Sequence, residues 1–437
     1  MKDFAISDHP GVQAQLDRLG ALSLPTGRTG LGLDTVRALC ARLGDPQNAL
    51  PPVFHVAGTN GKGSTCAYLR FMLEAQGLTV HTATKPHLVR YNERIRLAGK
   101  LIADDHLAAL LKDVLDAGAD LEPSFFEVTT VATFLAFHRE PADACVIETG
   151  LGGRLDATNV LENPVICGIA TLGIDHEAFL LNPEPGVPAE PLARIAFEKA
   201  GIAKPGVPLV TQIYPAHAAQ SVADTAGRIG APLVIRGQAW DATADGAIHY
   251  RDAQGELLLP LPALVGAHQS DNVALAVAML RHQSAVHVDR GAMGKGIVDA
   301  RWPARLQRLG HGPLTDGAGG RSVWLDGGHN PDAGAILGRH FADQPPVHLV
   351  MGMLASKDPS AILAPMRGHL LSVSIVPAPG HDAHQPQDFG PFTDLPVRSF
   401  GSVPQALAAL PQGGDVLIAG SLYLAGEVLR LNGEVPD

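Results

Sequence analysis

The sequence has few aromatic residues, and nowhere do 18 apolar residues follow one another. Aromatic residues make up 5% of the chain and hydrophobic residues 46%, which predicts aliphatic α/β layers and excludes disorder. A length of 437 residues predicts two or three domains. The lack of a long apolar run argues against a membrane-spanning helix, and residues 1–15 carry charges without the apolar core of a signal peptide. We therefore predict a cytoplasmic protein with no membrane partner.

Positive charge and cysteine are also scarce. With 33 Lys and Arg against 44 Asp and Glu, the net charge is −11, and there is no basic tail to neutralise a nucleic-acid backbone. Nucleic acid is therefore not an expected partner, and a polyphosphate ligand would need a local pocket. The four cysteines, Cys40, Cys66, Cys145 and Cys167, lack the spacing of metal ligands, so we expect reduced thiols in the core.

A glycine loop, Gly58–Ser64, lies between the apolar run Val53–Ala57 and a helix-like segment from Thr65 to Gln76. Glycines let successive backbone N–H groups point at one anion, the helix N-terminus adds positive potential, and Lys62 adds a formal charge. The first glycine lies closer to the Gly-Lys pair than in the general P-loop, so this is a variant of that motif. The segment predicts a polyphosphate site, with ATP as the first candidate.

Short β-branched runs alternate with helix-length amphipathic stretches from residue 53 onward. Examples are Ala144–Thr149 and Val165–Leu172, and a second series begins at Val323. The alternation predicts an α/β fold, with a P-loop-type, mainly parallel sheet in an N-terminal ATPase domain and a smaller Rossmann-like α/β domain at the C-terminus. We place the hinge near residue 300, which gives domains 1–300 and 301–437.

Two strand ends place polar side chains where ligands collect in a parallel sheet. Glu148 ends one strand, and the next strand is followed by Asp175 and His176. Since the carboxyl ends of parallel strands meet at one edge, we expect these groups beside the glycine loop, where they suit a magnesium ion that also binds phosphates. Taken alone, Glu148 could instead pair with Arg154.

Lys199 falls on the apolar stripe of its helix-like segment, together with Leu192 and Ile195. Burial would lower its pKa, and the neutral amine could act as a base or react with carbon dioxide to give a carbamate, which is an anionic metal ligand. The alternative is an amphipathic lysine whose stem packs in the core while its ammonium reaches water.

Ser124 and Glu127 have the spacing of a helix-capping box. Capping is therefore the expected role of these two side chains. Phe125 or Phe126, between them, could form a wall for a flat ring.

These segments together resemble the Mur ligase superfamily, and most closely its branch of folylpolyglutamate synthases and bifunctional dihydrofolate synthase/folylpolyglutamate synthases. The extra Gly63 and the run that begins at Gly150 are specific to the folate branch. The matching pieces extend over most of the chain in the family's order. They are Gly58–Ser64, Pro86–Leu88 with Asn92–Ile95, Gly150–Asn159, Asp175 with His176, Glu198–Ile202, His268 and Gln269 with Asn272, and Asp326–Pro331.

The resemblance implies ATP-dependent amide formation between L-glutamate and either dihydropteroate or a reduced folate such as tetrahydrofolate. ATP would phosphorylate a substrate carboxylate, the amine of glutamate would attack the acyl phosphate, and inorganic phosphate would leave. Because both reactants of the first step are anionic, cations must shield the γ-phosphate. The implied cofactors are ATP and Mg2+, with K+ as a further candidate cation, and the implied assembly is a monomer.

The resemblance also implies roles for individual residues. The expected catalytic residues are Lys62, His176, His329 and Lys199, the last as the carboxylated lysine of the family. The expected ATP contacts are Thr59, Asn60, Gly61, Lys62, Gly63, Ser64, Asn272, Arg305 and Asp326, and the expected metal ligands are Ser64, Glu148 and His176. The expected pteroate or folate contacts are Gly30, Leu31, Ser124, Phe125, Phe126, Glu127, Leu155, Asp156 and Ala157.

The sequence departs from the family's pattern at Ala304, where glycine is usual, and in a longer stretch between Leu181 and Pro191. More consequential is Lys85, which stands where the family usually has a magnesium-binding serine. An ammonium cannot bind a cation. We therefore expect Lys85 to contact a β- or γ-phosphate oxygen, or to pair with Glu148 when ATP is absent, and to weaken or displace the first magnesium.

Three alternatives follow from the same residues. A muropeptide ligase is disfavoured because most of those place a UDP-binding domain ahead of the glycine loop, and Gly58 leaves too little chain for one. A folylpolyglutamate synthase without dihydrofolate synthase activity is the second. The third is a nucleotide-binding regulator that has lost ligase chemistry, which Lys85 suggests, although Glu148, His176 and Lys199 are all retained.

Overall fold

Two compact units make up the protein in a computed structural model that describes residues 6–22, 32–382, 384–389 and 392–437. The first unit runs to residue 86 and includes residues 91–263 and 269–300, while residues 87–90, 264–268 and 301–437 form the second. Among the described residues, no helix is both long enough and apolar enough to cross a bilayer.

A mainly parallel sheet forms the centre of the first unit. Its strands among the described residues are β1 (Val53–Ala57), β2 (Val80–Ala83), β3 (Ile95–Leu97), β4 (Lys100–Leu101), β5 (Ala144–Glu148), β6 (Ile166–Ile169), β7 (Leu209–Thr211) and β8 (Leu233–Ile235). Their spatial order is β4-β3-β2-β5-β1-β6-β7-β8, and β2 and β5–β8 run parallel with β1. β3 and β4, at one end of the sheet, are antiparallel to their neighbours. Because β2, β5, β1 and β6 are parallel, their carboxyl ends lie at one edge of the sheet.

Helices surround this sheet. In the described part of the unit they are α1 (Pro10–Leu22), α2 (Asp34–Arg42), α3 (Lys62–Ala75), α4 (Asp104–Gly118), α5 (Phe125–Arg139), α6 (Glu177–Leu180), α7 (Pro191–Ala200), α8 (Ala216–Ile229), α9 (His268–Arg281) and α10 (Arg290–Asp299). A separate antiparallel sheet contains β9 (Trp240–Asp245), β10 (Ala247–Asp252) and β11 (Gly255–Leu259).

Helices cover both faces of the parallel sheet. Alternate residues of a strand point to opposite sides, so their contacts show which helices cover each face. Ile147 packs with residues of α1, α2, α4 and α5, and Cys167 packs with residues of α7 and α8. His55 pairs in register with both residues and so lies on their face. On the opposite face, a Cβ atom at Gly168 would lie 2.3 Å from the sulfur of Met279, so α9 needs glycine there to pack this closely.

The four cysteines lie in these packed layers. All are buried and free, which agrees with the predicted core thiols. Burial raises the pKa of the Cys40 and Cys167 thiols to about 12, so neither is a reactive thiolate at neutral pH.

The second unit is a smaller α/β sandwich. Its described strands are β12 (Gln307–Arg308), β13 (Val323–Leu325), β14 (Val347–Met351), β15 (Leu370–Ile375), β16 (Val397–Ser399) and β17 (Val416–Ala419). Its described helices are α11 (Pro313–Gly317), α12 (Pro331–Phe341), α13 (Ser360–Leu363), α14 (Val403–Ala408) and α15 (Leu422–Asn432). The sheet order is β12-β13-β17-β14-β15-β16, with β12 antiparallel and the others parallel. Both units confirm the predicted α/β class, with a P-loop-type sheet and a Rossmann-like sheet.

Candidate active site

The glycine loop connects β1 directly to α3. Gly58 and Gly61 have φ angles of 150° and 82°, and Gly61 immediately precedes the first helical residue. The helix therefore starts at Lys62 and not at Thr65 as predicted, which places Gly63 and the buried Ser64 in its first turn. The backbone N–H groups of this turn have no partner within the helix and are available to an anion.

Hydrogen bonds to the segment after β6 hold the loop in place. The backbone N–H of Thr59 donates to Thr171 O at 2.7 Å, and its hydroxyl donates to Gly173 O at 2.8 Å. Asn60 forms an isolated bridge with Thr171. The glycine loop after β1 is thus tied to the segment that follows the neighbouring strand β6.

Asn272 of α9 lies against the loop, as its predicted role in ATP binding requires. A Cβ atom at Gly61 would lie 2.4 Å from Asn272 Oδ1. The Asn272 amide group donates to Gln269 Oε1 at 3.0 Å, so Gln269 fixes the orientation of the amide. Only glycine combines the positive φ at residue 61 with this close approach.

Replacement of Gly61 by alanine should therefore lower the affinity for ADP about 10-fold or more, since a left-handed alanine costs about 1–2 kcal/mol and Asn272 must also move. Titration calorimetry with ADP would measure this. Gly77→Ala is the matched control, because Gly77 has a φ of 89° but no neighbour within 4 Å of the added Cβ. Unchanged ADP affinity in Gly61→Ala would contradict the close contact.

Lys62 and Lys199 converge on one carbonyl group of the loop. Lys62 Nζ donates to Gly58 O at 3.0 Å and to Thr59 O at 3.1 Å. Lys199 Nζ donates to Gly58 O at 2.8 Å. The two amines thus donate to the same carbonyl group, at the junction between β1 and the glycine loop.

Lys199 is buried, with 4% of its surface exposed. Burial, reinforced by the charge of Lys62, lowers the pKa of Lys199 to about 7. The charges of Asp175, Asp156 and Glu198 oppose this shift. The reading of Lys199 as a lysine whose ammonium reaches water is therefore wrong, because the amine lies inside the fold and forms a backbone hydrogen bond there.

Two of the predicted metal ligands, Glu148 and His176, lie at the end of β5 and after β6, the strands on either side of β1. Glu148 ends β5 with 3% exposure, and one of its carboxylate oxygens accepts from the backbone N–H of Lys85 at 3.1 Å. His176 immediately precedes α6, and its backbone N–H donates to the side chain of Asp175 at 2.7 Å. Among the described residues, no three His, Cys, Asp or Glu side chains are close enough together to hold a metal ion by themselves.

Arg154 pairs with Glu198 and not with Glu148. Its guanidinium lies 3.0 Å from Glu198 Oε1 and also pairs with Glu184, which comes from the long stretch after Leu181. The alternative reading of Glu148 as the partner of Arg154 is therefore wrong. The Glu148 carboxylate offers a hard oxygen ligand that fits a divalent cation. The glycine loop at the same sheet edge offers N–H groups to the phosphates that such a cation also binds.

The capping box at the start of α5 is confirmed. Ser124 N–H donates to Glu127 Oε2 at 2.7 Å, and Glu127 N–H donates to Ser124 Oγ at 3.3 Å. Phe125 is buried in edge-to-face contact with Tyr91, while Phe126 is partly exposed. Of the two rings, Phe126 is thus the one that a ligand can reach, and the two polar side chains of the cap are engaged with each other.

Hydrogen bonds from three residues fix the Asp156 carboxylate. Its Oδ2 accepts from the N–H groups of Gly150 and Leu151, both at 2.8 Å, and its Oδ1 accepts from the N–H and the hydroxyl of Thr158 at 3.0 and 2.6 Å. Burial alone would raise the pKa of Asp156, but the charge of Lys85 and these hydrogen bonds bring it below the ordinary value. The carboxylate thus shapes the Gly150 loop, while the flanking Leu155 is partly exposed and Ala157 is buried. Its predicted contact with a pteroate stays a prediction.

His55 supports Asp156 through Thr158. His55 Nε2 lies 2.9 Å from Thr158 Oγ1, and because that hydroxyl donates to Asp156, the imidazole must donate to the hydroxyl. Burial lowers the pKa of His55 to about 3, so the ring is neutral. A histidine in an apolar strand is typical of a core residue, so the sequence offered no signal for this role.

The second unit contains three of the predicted residues. Asp326 follows β13 and accepts from Leu306 N–H at 2.8 Å and Gly328 N–H at 2.7 Å. Burial raises the pKa of Asp326, and the charges of Arg305 and His329 act against this. Ala304 has a φ of 56°, a conformation that glycine adopts without strain, which explains the glycine usual in the family. Gly30 and Leu31 lie outside the described residues.

The parallel sheet with its glycine loop and the second, Rossmann-like unit define an ATP-dependent ligase with a Mur ligase-like fold. Dihydrofolate synthase/folylpolyglutamate synthase of Escherichia coli (strain K12) is 33% identical over 410 residues, which cover 92% of this chain and 91% of that protein. The chain therefore belongs to the dihydrofolate synthase/folylpolyglutamate synthase family. No protein-family model matches it.

Solved structures agree with this assignment. The structure of E. coli FolC in complex with DHPP and ADP has a TM-score of 0.81 and 31% identity, and covers 95% of this chain and 97% of that one. A crystal structure of bifunctional folylpolyglutamate synthase/dihydrofolate synthase with Mn, AMPPNP and L-glutamate bound has a TM-score of 0.81 and 30% identity, with coverage of 96% and 97%.

Proposed function

We propose that this protein joins L-glutamate to dihydropteroate and to reduced folates, using ATP to activate the substrate carboxylate. The observation that carries the proposal is the pair of Lys62 and Lys199 on the carbonyl of Gly58. One lysine supplies a mobile cation to the phosphate loop, and the other is a buried amine that can become anionic by carboxylation. The bound ligands of the two related structures are consistent with these substrates.

ATP is proposed to lie on the glycine loop and the first turn of α3. The turn's N–H groups and Lys62 would hold the phosphates, and Asn272 would contact the nucleotide from α9. Lys62 could reach a phosphate oxygen by leaving its two loop carbonyls, because both bonds come from one flexible side chain. Asp326, Arg305 and His329 are proposed to contribute from residues 301–437, as the glutamate-ligase domain.

Mg2+ is proposed to be held by Glu148, His176, Ser64 and the carbamate of Lys199. When bound, the ion would neutralise charge between the nucleotide phosphates and the substrate carboxylate. Two observations support this proposal: Glu148 is buried at the end of β5, and the Lys199 amine is hydrogen-bonded to Gly58 O. K+ as a further cation, a monomeric assembly and a cytoplasmic location stay predictions.

The purified protein should release phosphate in the presence of ATP and glutamate with either dihydropteroate or tetrahydrofolate. Mass spectrometry should show one added glutamate in each product. Product from tetrahydrofolate alone would identify a folylpolyglutamate synthase without the second activity. No phosphate release with either acceptor would favour the nucleotide-binding regulator and overturn the proposal.

A further inference from the structure

Lys85 is fixed by its backbone at the centre of the sheet edge. It follows β2, whose neighbour in the sheet is β5, and its N–H donates to Glu148 Oε2 at 3.1 Å. The contact between Lys85 and Glu148 is therefore made by the main chain, and the predicted pairing through the ammonium is corrected. The side chain is directed elsewhere.

The Lys85 side chain crosses Gly150 toward α5. Its ammonium donates to Thr130 Oγ1 at 3.4 Å. A Cβ atom at Gly150 would lie 3.2 Å from Lys85 Cδ and 3.6 Å from Nζ, so the glycine leaves room for the lysine. Burial lowers the pKa of Lys85, and the charge of Asp156 opposes this more strongly than that of Glu148. The ammonium thus faces the Asp156 side of the edge.

The ammonium retains hydrogen-bonding capacity at this position. A lysine has three N–H donors, and in the described part of the chain Thr130 is the acceptor, at a long distance. Asp156 balances the charge but has its acceptor positions occupied by Gly150, Leu151 and Thr158. A partly buried cation with donors left over is suited to an anionic ligand.

The order of the strands along the sheet edge indicates which anion the Lys85 ammonium would bind. Along the edge, the glycine loop after β1 comes first, then Glu148 at the end of β5, and then Lys85 after β2. The hydrogen bond to Thr130 places the Lys85 ammonium beside α5, one helical turn after Phe125 and Phe126. In the proposed function, the substrate carboxylate must reach the phosphates on the glycine loop. The Lys85 ammonium follows Glu148 along this edge and lies beside α5, a position that suits this carboxylate.

We propose that the Lys85 ammonium binds the substrate carboxylate that becomes phosphorylated, which makes Lys85 a recognition residue for the pteroate or folate acid group. This inference rests on the proposed function. In the step itself, a carboxylate oxygen forms the new bond to the γ-phosphorus while the bond to the bridging oxygen breaks and ADP leaves with the electron pair. Lys85 transfers no proton; its charge offsets the approach of two anions.

Equilibrium binding in saturating ADP tests the proposal without turnover. The probes are pteroate and its primary carboxamide, which differ only in the acid group. The wild-type protein should bind pteroate about 10-fold or more tightly than the carboxamide, as expected of a charge-assisted hydrogen bond. In Lys85→Met, pteroate affinity should fall by a similar factor while carboxamide affinity stays within about 3-fold, which abolishes the preference.

Two further variants guard against a folding artefact. Gly150→Ala keeps the lysine but adds a methyl group 3.2 Å from both Lys85 Cδ and Asp156 Oδ2, so it should also reduce the preference for pteroate. Lys112→Met removes an exposed lysine paired with Asp116 and should leave the preference unchanged. Equal losses for both probes in Lys85→Met would overturn the assignment. Failure of the wild type to bind either probe would contradict the proposed function itself, and with it this role of Lys85.

Discussion

Lys62→Ala should lower turnover about 10³-fold or more, because it removes the charge that stabilises the transferring phosphoryl group, a contribution of several kcal/mol. The structure holds this ammonium on the carbonyl groups of Gly58 and Thr59, within the phosphate loop itself. Lys199 also donates to the Gly58 carbonyl, but it is buried, so we expect it not to take over the role of Lys62. Steady-state phosphate release with saturating ATP is the measurement.

The control for this variant separates chemistry from folding. Lys112→Ala removes one positive charge from an exposed helix position and should retain full turnover. Thermal unfolding of Lys62→Ala should stay close to that of the wild type, because the side chain is only partly buried. A folded Lys62→Ala protein with near-normal turnover would refute the assignment of the phosphate site.

Local sequence was sufficient to predict the strand, glycine loop and helix around Gly58–Ser64. An apolar strand, glycines and a helix follow one another within a short stretch, so the geometry depends on neighbours in the chain. The boundary was nevertheless wrong, since the helix starts at Lys62. Gly61 adopts a positive φ and is the last residue before the helix. The spacing of apolar residues in a sequence does not show where a glycine bends the backbone in this way.

Lys85 and Asp156 show where prediction from sequence stopped. Lys85 stands where the family usually has a magnesium-binding serine, so its ammonium was expected to contact a phosphate oxygen of ATP or to pair with Glu148. Its side chain instead crosses Gly150, which only a folded loop brings beside it. The loop in turn depends on Asp156, whose hydrogen bonds reach residues on both sides and extend through Thr158 to His55 on β1. Such contacts join separate segments, so periodicity and spacing cannot reveal them.

The capping box illustrates the opposite case. Ser124 and Glu127 were expected to cap a helix, and both reciprocal hydrogen bonds are present. Capping is a contact between residues three apart, so the sequence contains all of its partners. Their engagement in the cap leaves the partly exposed Phe126 as the better candidate for substrate contact at this helix end.

The second large effect is expected at Lys199. Lys199→Ala should lose activity by about 10³-fold or more, since the proposed carbamate supplies an anionic ligand at the point where nucleotide charge is neutralised. The amine is suited to carboxylation: it lies 2.8 Å from Gly58 O inside the fold, and with a pKa of about 7 roughly half of it is neutral at pH 7. Incorporation of ¹³C-labelled carbon dioxide, followed by NMR, should detect the carbamate in the wild type and not in the variant.

Chemical rescue can distinguish a missing carboxylate from a damaged fold. Lys199→Ala leaves a buried space beside the loop, and formate or acetate could place a carboxylate there without the lysine. We expect partial recovery of turnover in Lys199→Ala at high formate and none in Lys62→Ala, because an anion cannot substitute for a cation. Full activity of Lys199→Ala without added acid, or a wild-type protein with no ¹³C signal in the presence of bicarbonate, would exclude a functional carbamate and leave the neutral amine as the group to be explained.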